Sequence, residues 1–357
     1  WARRGGGRMG IPPEVRQDRD VSRRSRVDAG QPRPEDRHLP VMRDRVVDLL
    51  APAVQAALEA GRTPVAVDGT LGMGGHTEAL LTRFPHLRVI GIDRDVHAQA
   101  MAVERLGPLA ERLIPFHGTY DRVPEAMAAA GVTKVDAALY DLGVSSYQLD
   151  DRERGFAYSY DAPLDMRMDD TAERSAATLV AELDEQELRR IIRRDGEERF
   201  AGPIARAIVR ARDEAPIETT GRLVEVIRSA VPVAAGATGG HPAKRTFQAL
   251  RIAVNEELDI LDAAVPAILD ALHVGGRLVV MSYHSLEDRI TKRHLSAWAT
   301  STAPPGFPVV LEEHEPVVRV LTRGTEKPTE EEISENRRAS SARVRAVEKI
   351  RTSRTTA

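Results

Sequence analysis

Residues 65–81 read VAVDGTLGMGGHTEALL. Val65, Ala66 and Val67 make the apolar run of a short strand buried on both faces. Asp68 ends the run, and Gly69, Gly72, Gly74 and Gly75 fill a loop. From His76 the pattern turns helical, with Ala79 and Leu80 on the inner side. Strand, glycine loop and helix in this order are how an α/β sheet builds a nucleotide pocket at the carboxyl end of its first strand. Glycine lets the backbone turn sharply and lets a ligand lie against it.

The loop narrows the choice of nucleotide. Gly72-Met73-Gly74 starts a dinucleotide fingerprint, but its third glycine position is Thr77, and no G-x-x-x-x-G-K-[S/T] occurs. What remains is an acid closing the strand and a glycine turn without a phosphate grip. S-adenosylmethionine, a phosphate-free nucleoside with a cationic sulfonium, matches that chemistry. Asp68 is expected to face the positive end. Asp93, closing the strand Arg88–Ile92, is expected to accept both ribose hydroxyls. The plain competing reading is a tight βα turn with a surface Asp.

The 357 residues allow about two domains. The hydrophobic fraction of 42% fills an ordinary core, and a net charge of −3 carries no global nucleic-acid signature, so any such surface is local. With no Cys, disulfides, thiol catalysis and thiolate metal sites are excluded, as suits a cytoplasmic protein. The His residues are scattered without ligand spacing, so no metal site is expected. No apolar run approaches the roughly 18 residues of a membrane span, and the Arg-bearing start lacks the apolar core of a signal peptide.

Residues 1–36 are rich in Arg, Gly and Pro and read as a disordered tail. A helix is expected to run from about Val41 through Leu50, with Pro52 as its stop. Then follow helix 76–83, strand 88–92, helix 96–106, strand 112–116, helix 122–130 and strand 135–141. This alternation predicts a parallel sheet with helices on both faces. Tyr120, after the third strand, stands where the cofactor's adenine would lie. Asp141 ends the fourth strand beside the first, where an acceptor near an exocyclic N–H raises amine nucleophilicity. The polar, irregular stretch Arg154–Asp169 reads as a functional loop.

From about Ser175 to Gly240 the pattern is helical only. Asp184 caps Glu185–Arg194 with Gly196 after it, a second helix covers Ile204–Ala211, and a third runs from Thr220 to Pro232. Gly236–Gly240 reads as a loop. This predicts an all-helical domain, 171–240, inserted into an α/β domain formed by 37–170 and 241–357. A long helix then opens at His241, with Phe247, Leu250, Val254, Leu258 and Leu261 as its stripe. Lys244, Gln248, Arg251 and Asn255 share another face, which is either solvated or a phosphate contact. Gly275–Tyr283 predicts a fifth strand, His284 stands at the pocket edge, and Val317–Thr322 and Ala342–Val347 read as the last strands around a charged loop, Lys327–Ser341.

Several runs carry a resemblance. Asp141-Leu142-Gly143-Val144-Ser145-Ser146, Gln148-Leu149-Asp150-Asp151, Arg154-Gly155-Phe156 and Pro163-Leu164-Asp165-Met166-Arg167-Met168 are four of them. Gly196-Glu197-Glu198-Arg199-Phe200, Arg245–Ile252, Ser282–Arg289 and Asn336-Arg337-Arg338 complete the set. From His38 to about Lys349 the chain resembles the bacterial 16S ribosomal RNA cytosine-N4 methyltransferases of the MraW type. It departs in having Tyr120 where that family usually has Phe, Tyr147 where it has Pro, and Arg337 inside its Asn-Pro-Arg motif.

The resemblance implies a Rossmann-like class I S-adenosylmethionine-dependent methyltransferase with a helical insert. It implies methylation of a cytosine amino group of 16S rRNA near the ribosomal P site, with the small ribosomal subunit as partner. Carried over by motif, cofactor contacts fall on Gly74, Gly75, His76, Asp93, Tyr120, Asp141 and Gln148, with Asp141 also catalytic. Lys244, Arg245, Arg251 and His284 are the expected substrate contacts, and a homodimer stays open. Two alternatives also stay open: a methyltransferase for DNA or a small molecule, and a non-catalytic RNA-binding protein that holds the cofactor.

Overall fold

The computed structural model describes residues 39–232, 241–304 and 311–352. The tail expected at 1–36 and the loop expected at Gly236–Gly240 lie outside them. Helix α1 (Arg43–Glu59) precedes an alternating series: β1 (Val65–Asp68), α2 (Gly75–Arg83), β2 (Arg88–Asp93), α3 (Val96–Leu106), β3 (Leu113–His117), α4 (Val123–Ala129) and β4 (Val135–Asp141). Short helix α5 (Ser146–Asp150) opens the long loop. Four helices follow: α6 (Ala176–Glu182), α7 (Glu185–Gly196), α8 (Ala201–Glu214) and α9 (Thr220–Ala230). The chain returns through α10 (Lys244–Asn255), α11 (Glu257–Ala271), β5 (Leu272–Ser282), α12 (Ser285–Ala299), β6 (Val318–Val320), α13 (Glu330–Glu335) and β7 (Arg343–Lys349).

The sheet order is β3-β2-β1-β4-β5-β7-β6. Strands β1 to β5 are parallel, with Val67 opposite Ile90 on one side and Ala138 on the other. The order reverses between β1 and β4, which opens a crevice at their carboxyl ends. The last two strands correct the all-parallel expectation: β7 runs antiparallel to both β5 and β6. Alternate residues feed opposite faces. Ala66, Leu139, Val279 and Met281 pack under α1, α2 and α3. Val67, Ala138, Tyr140, Leu278 and Val280 pack under α4 and α11.

A third core lies among α6–α9. Leu188, Ile192, Ile204, Ile208, Leu223 and Ile227 come from those helices; Phe156, Leu164 and Met166 come from the loop before, and Phe247 and Leu250 from α10 after. Pro163 bridges to Thr219 as a short antiparallel pair.

Four local expectations are corrected. Pro52 does not stop α1, which continues to Glu59. Proline removes one backbone donor and crowds the preceding turn, but Ala53, Val54 and Ala57 continue the buried stripe and outweigh that cost. Gly196 is inside α7, and Glu197 takes the left-handed capping position at φ 49°. A Cβ on Gly196 would stand 2.5 Å from the Arg245 carbonyl oxygen, so glycine serves helix approach here. The long helix expected from His241 is two helices, broken at Glu256 with φ 51°. Within the stretch read as the loop Lys327–Ser341 lies α13, capped by the Thr329 hydroxyl, and then a 3₁₀ turn.

Candidate active site

The glycine loop is set by packing as much as by any ligand. A Cβ on Gly69 would strike the Tyr140 ring, and one on Gly75 would stand 2.5 Å from Pro40. Gly74 caps α2 at φ 75° and lies against Ala102 of α3. A Cβ on Gly72, at φ 49°, would meet only the Thr70 carbonyl oxygen, at 3.9 Å. The Gly72 amide donates to Asp93 Oδ2 at 2.7 Å, while the Asp95 amide donates to Oδ1 at 2.9 Å. Burial pushes the Asp93 carboxyl up to about 6. Each of its oxygens keeps a lone pair for a further donor.

Asp68 departs from its expected role. It is 1% exposed, and its carboxylate takes the Thr77 hydroxyl at 2.7 Å and the Thr70 amide. Burial raises its pKa. It braces the loop from beneath.

At the tip of β4, the Asp141 amide donates to Thr70 Oγ1 at 2.7 Å. The Tyr283 hydroxyl donates to Asp141 Oδ1 at 2.8 Å. The other oxygen, Oδ2, lies 3.4 Å from His76 Nε2. His76 is 6% exposed, yet neither ring nitrogen makes a hydrogen bond. A buried imidazole so placed calls for a partner. Burial, followed by the Asp141 charge, drives the Tyr283 phenol far above its ordinary range. Tyr283 lies within the quoted Ser282–Arg289 run without a role assigned. Its position just past β5, the strand beside β4, is the signal that could have found it.

Tyr120 stands after β3 with its ring 5.0 Å from that of Tyr140, and burial raises its pKa. Gln148 is 5% exposed and engaged: its amide side chain completes the Ser145 capping box and donates to Asp95 Oδ2 at 3.0 Å. Asp95 is a hub that the sequence reading passed over. It caps α3, receives Gln148, and takes Arg154 Nη2 at 3.1 Å. Arg154 also donates to the Arg167 and Met168 carbonyls, which folds the long loop toward β2.

A family profile described as the MraW methylase family matches residues 35–350. A Micrococcus luteus protein named ribosomal RNA small subunit methyltransferase H is 98% identical over 331 residues, 93% of this chain and 100% of the relative. A protein of the same name from Pseudarthrobacter chlorophenolicus is 61% identical over 325 residues, 91% of this chain and 98% of the relative. This chain belongs to the MraW methylase family. A solved rRNA methylase from Streptococcus thermophilus is 12% identical, with a TM-score of 0.38, covering 87% of this chain and 94% of that one.

As a member of this family, the methylase uses S-adenosylmethionine. The residues present fit that group. Gly72 has only the Thr70 carbonyl within reach of a Cβ, Asp93 offers a half-buried carboxylate, and His76 holds two unsatisfied nitrogens beside Asp141. Among the described residues, no group of three or more His, Asp and Glu is arranged to hold a metal ion, and no helix is long and apolar enough to cross a membrane.

The expected substrate face of the methylase divides. Lys244 and Arg245 are exposed at the start of α10, and Arg245 donates to the Glu197 carbonyl. Arg251 makes a two-pronged ion pair with Glu257 at 2.8 and 2.9 Å. Gln248 donates to the Asp195 carbonyl. Asn255 is buried, accepts from the Met168 amide and donates to the Met166 carbonyl. His284 caps α12, and its Nε2 lies 3.2 Å from Glu287. Glu287 in turn accepts the Tyr283 and His284 amides. Burial opposes charge on Glu287, but His284 and Arg251 keep it below its ordinary range.

Proposed function

We propose that this methyltransferase methylates the N4 amine of one cytidine of 16S rRNA near the ribosomal P site, in the cytoplasm, with the small subunit as partner. When bound, S-adenosylmethionine supplies a methyl group on a cationic sulfur, open to in-line attack by an amine. Gly74, Gly75 and His76 would line it, Asp93 would take the ribose hydroxyls, and Tyr120 would lie by the adenine. Gln148 acts through Asp95, holding the loop at that rim.

One observation carries the reading: the Asp141 carboxylate, at the crevice between β1 and β4, is clamped by Tyr283 on one oxygen and leaves the other facing His76. The cytosine amine has its lone pair delocalised into the ring. A carboxylate accepting its N–H raises electron density on nitrogen as the N–C bond forms. Asp141 then holds or passes on the amine proton. No covalent link to the enzyme is needed, and the Cys-free chain has no thiolate for one. The base reaches the crevice by leaving its stack. Lys244 and Arg245 would hold backbone phosphates, and the inserted helices 171–240 would add recognition.

The test is mass spectrometry of 16S rRNA nucleosides from cells lacking the protein and from cells complemented with Asp141→Asn. Loss of N4-methylcytidine in the first is expected, together with at least about 100-fold slower methylation by the purified variant. Unchanged N4-methylcytidine in the deletion strain would overturn the reading.

A further inference from the structure

The helical layer presents a basic edge that extends beyond the Lys244 and Arg245 used above. On α7, Leu188, Ile191 and Ile192 face the core. Arg189, Arg190, Arg193 and Arg194 are consequently exposed, as are Arg199 just after α7 and Lys244 and Arg245 at the start of α10. Gly196 lets these helices touch, with the Arg245 carbonyl where a Cβ would otherwise be. Seven exposed cations therefore lie along α7, just after it and at the start of α10, with Arg189 against Gly202 of α8.

Of the neighbouring acids, Asp195 neutralises Arg194, and the others leave the remaining cations uncancelled. Asp195 is fully buried and pins Arg194 through Nε and Nη2. Glu197 receives the Ser285 hydroxyl and Arg289 Nη2. Those two bonds hold its carboxyl below the ordinary range. Glu198 is buried. The half-buried acids of α7, Glu185 and Glu187, lie in its first turn, at the opposite end. Residues three and four apart share a helix face, so Arg190, Arg193, Arg194 and Glu197 form one row. Glu197 joins that row to Ser285, two residues beyond Tyr283, whose hydroxyl holds Asp141.

We infer that Arg190 and Arg193 of α7, with Arg199, Lys244 and Arg245, form a phosphate track that leads an RNA backbone to the crevice at Asp141. This rests on the RNA reading above. Guanidinium groups bind phosphate oxygens through paired N–H donors and position a strand without reading its bases. The track sets the register of the RNA; the crevice selects the base.

The experiment compares full-length wild type, Arg190→Ala/Arg193→Ala, Arg190→Lys/Arg193→Lys and a control, Arg83→Ala/Arg88→Ala, at the opposite end of the sheet. Binding to transcribed 16S rRNA and to purified small subunits is followed across a salt series, and S-adenosylhomocysteine affinity is measured by calorimetry. The Ala pair is expected to flatten the salt slope by about 1.4 to 1.8, with nucleoside affinity unchanged. The Lys pair and the control should keep the wild-type slope. An Ala pair with the wild-type slope on naked rRNA overturns the track, even if it loses subunit binding, since the face would then meet a ribosomal protein. A wild type that binds rRNA with a steep slope but forms no N4-methylcytidine removes the reaction and leaves the track standing.

Discussion

At the scale of single residues, the site depends on which atom holds which. Tyr283 is the clearest case, because its hydroxyl occupies one oxygen of Asp141 and so fixes the direction of the other. A hydrogen bond to a charged group contributes about 1.5–3 kcal/mol. Tyr283→Phe should therefore lower kcat by about 10- to 100-fold, while S-adenosylhomocysteine affinity, read by calorimetry, stays within about twofold. Equal loss of both would mean that Tyr283 supports the pocket as a whole. Asp93 gives a pH prediction. Burial pushes its carboxyl up to about 6, and in the proposed cofactor pose the ribose hydroxyls donate to the ionised form. Nucleoside affinity should be flat above pH 6 and fall about tenfold per unit below it. Asp93→Asn should bind weakly with no such slope. The sign for folding is opposite: a carboxyl raised from 3.8 favours the folded state at low pH, and that contribution is lost as pH rises through 6.

At the scale of elements, much was legible in the sequence, for physical reasons. β1, β2 and β4 are short apolar runs ended by Asp68, Asp93 and Asp141, and a buried parallel strand leaves few other patterns. Asp184 caps α7 through a local bond that local sequence encodes. The break at Glu256 was hidden because Asn255-Glu256-Glu257 holds neither Gly nor Pro. Its cause is tertiary. Arg251 and Glu257 are six apart, which on a continuous helix points them to different faces; the left-handed Glu256 turns them into a pair. Asn255, placed by periodicity on a face read as either solvated or a phosphate contact, instead ties α10 to Met166 and Met168 of the loop. Asn255→Ala would strand a buried amide and a buried carbonyl. It should cost about 2–4 kcal/mol, seen as a lower urea midpoint with an unchanged slope. A loss under about 0.5 kcal/mol would show that water replaces the side chain.

At the scale of the whole molecule, the boundaries 171 and 240 follow a change of pattern, whereas the third core crosses both of them. Phe156, Leu164 and Met166 precede it in the chain, and Phe247 and Leu250 follow it. Periodicity sees each helix and cannot see whose side chains fill the space between. A fragment of 171–240 should thus be largely unfolded by circular dichroism, while a fragment of 152–256 should be helical and melt cooperatively. A stable, cooperative 171–240 would show that the insert is a self-sufficient domain. The antiparallel end of the sheet was likewise visible as two strands but not as an order, since strand order depends on pairings far apart in sequence.

That order has a consequence for how the polypeptide is made. Because β7 wedges between β5 and β6, the two strands before it have no common neighbour until Arg343–Lys349 has been translated. Until then β5 exposes an unpaired row of backbone groups, the kind of edge that recruits other chains. A ribosome that terminates before Arg343 would release a clumping hazard rather than a slightly shorter enzyme.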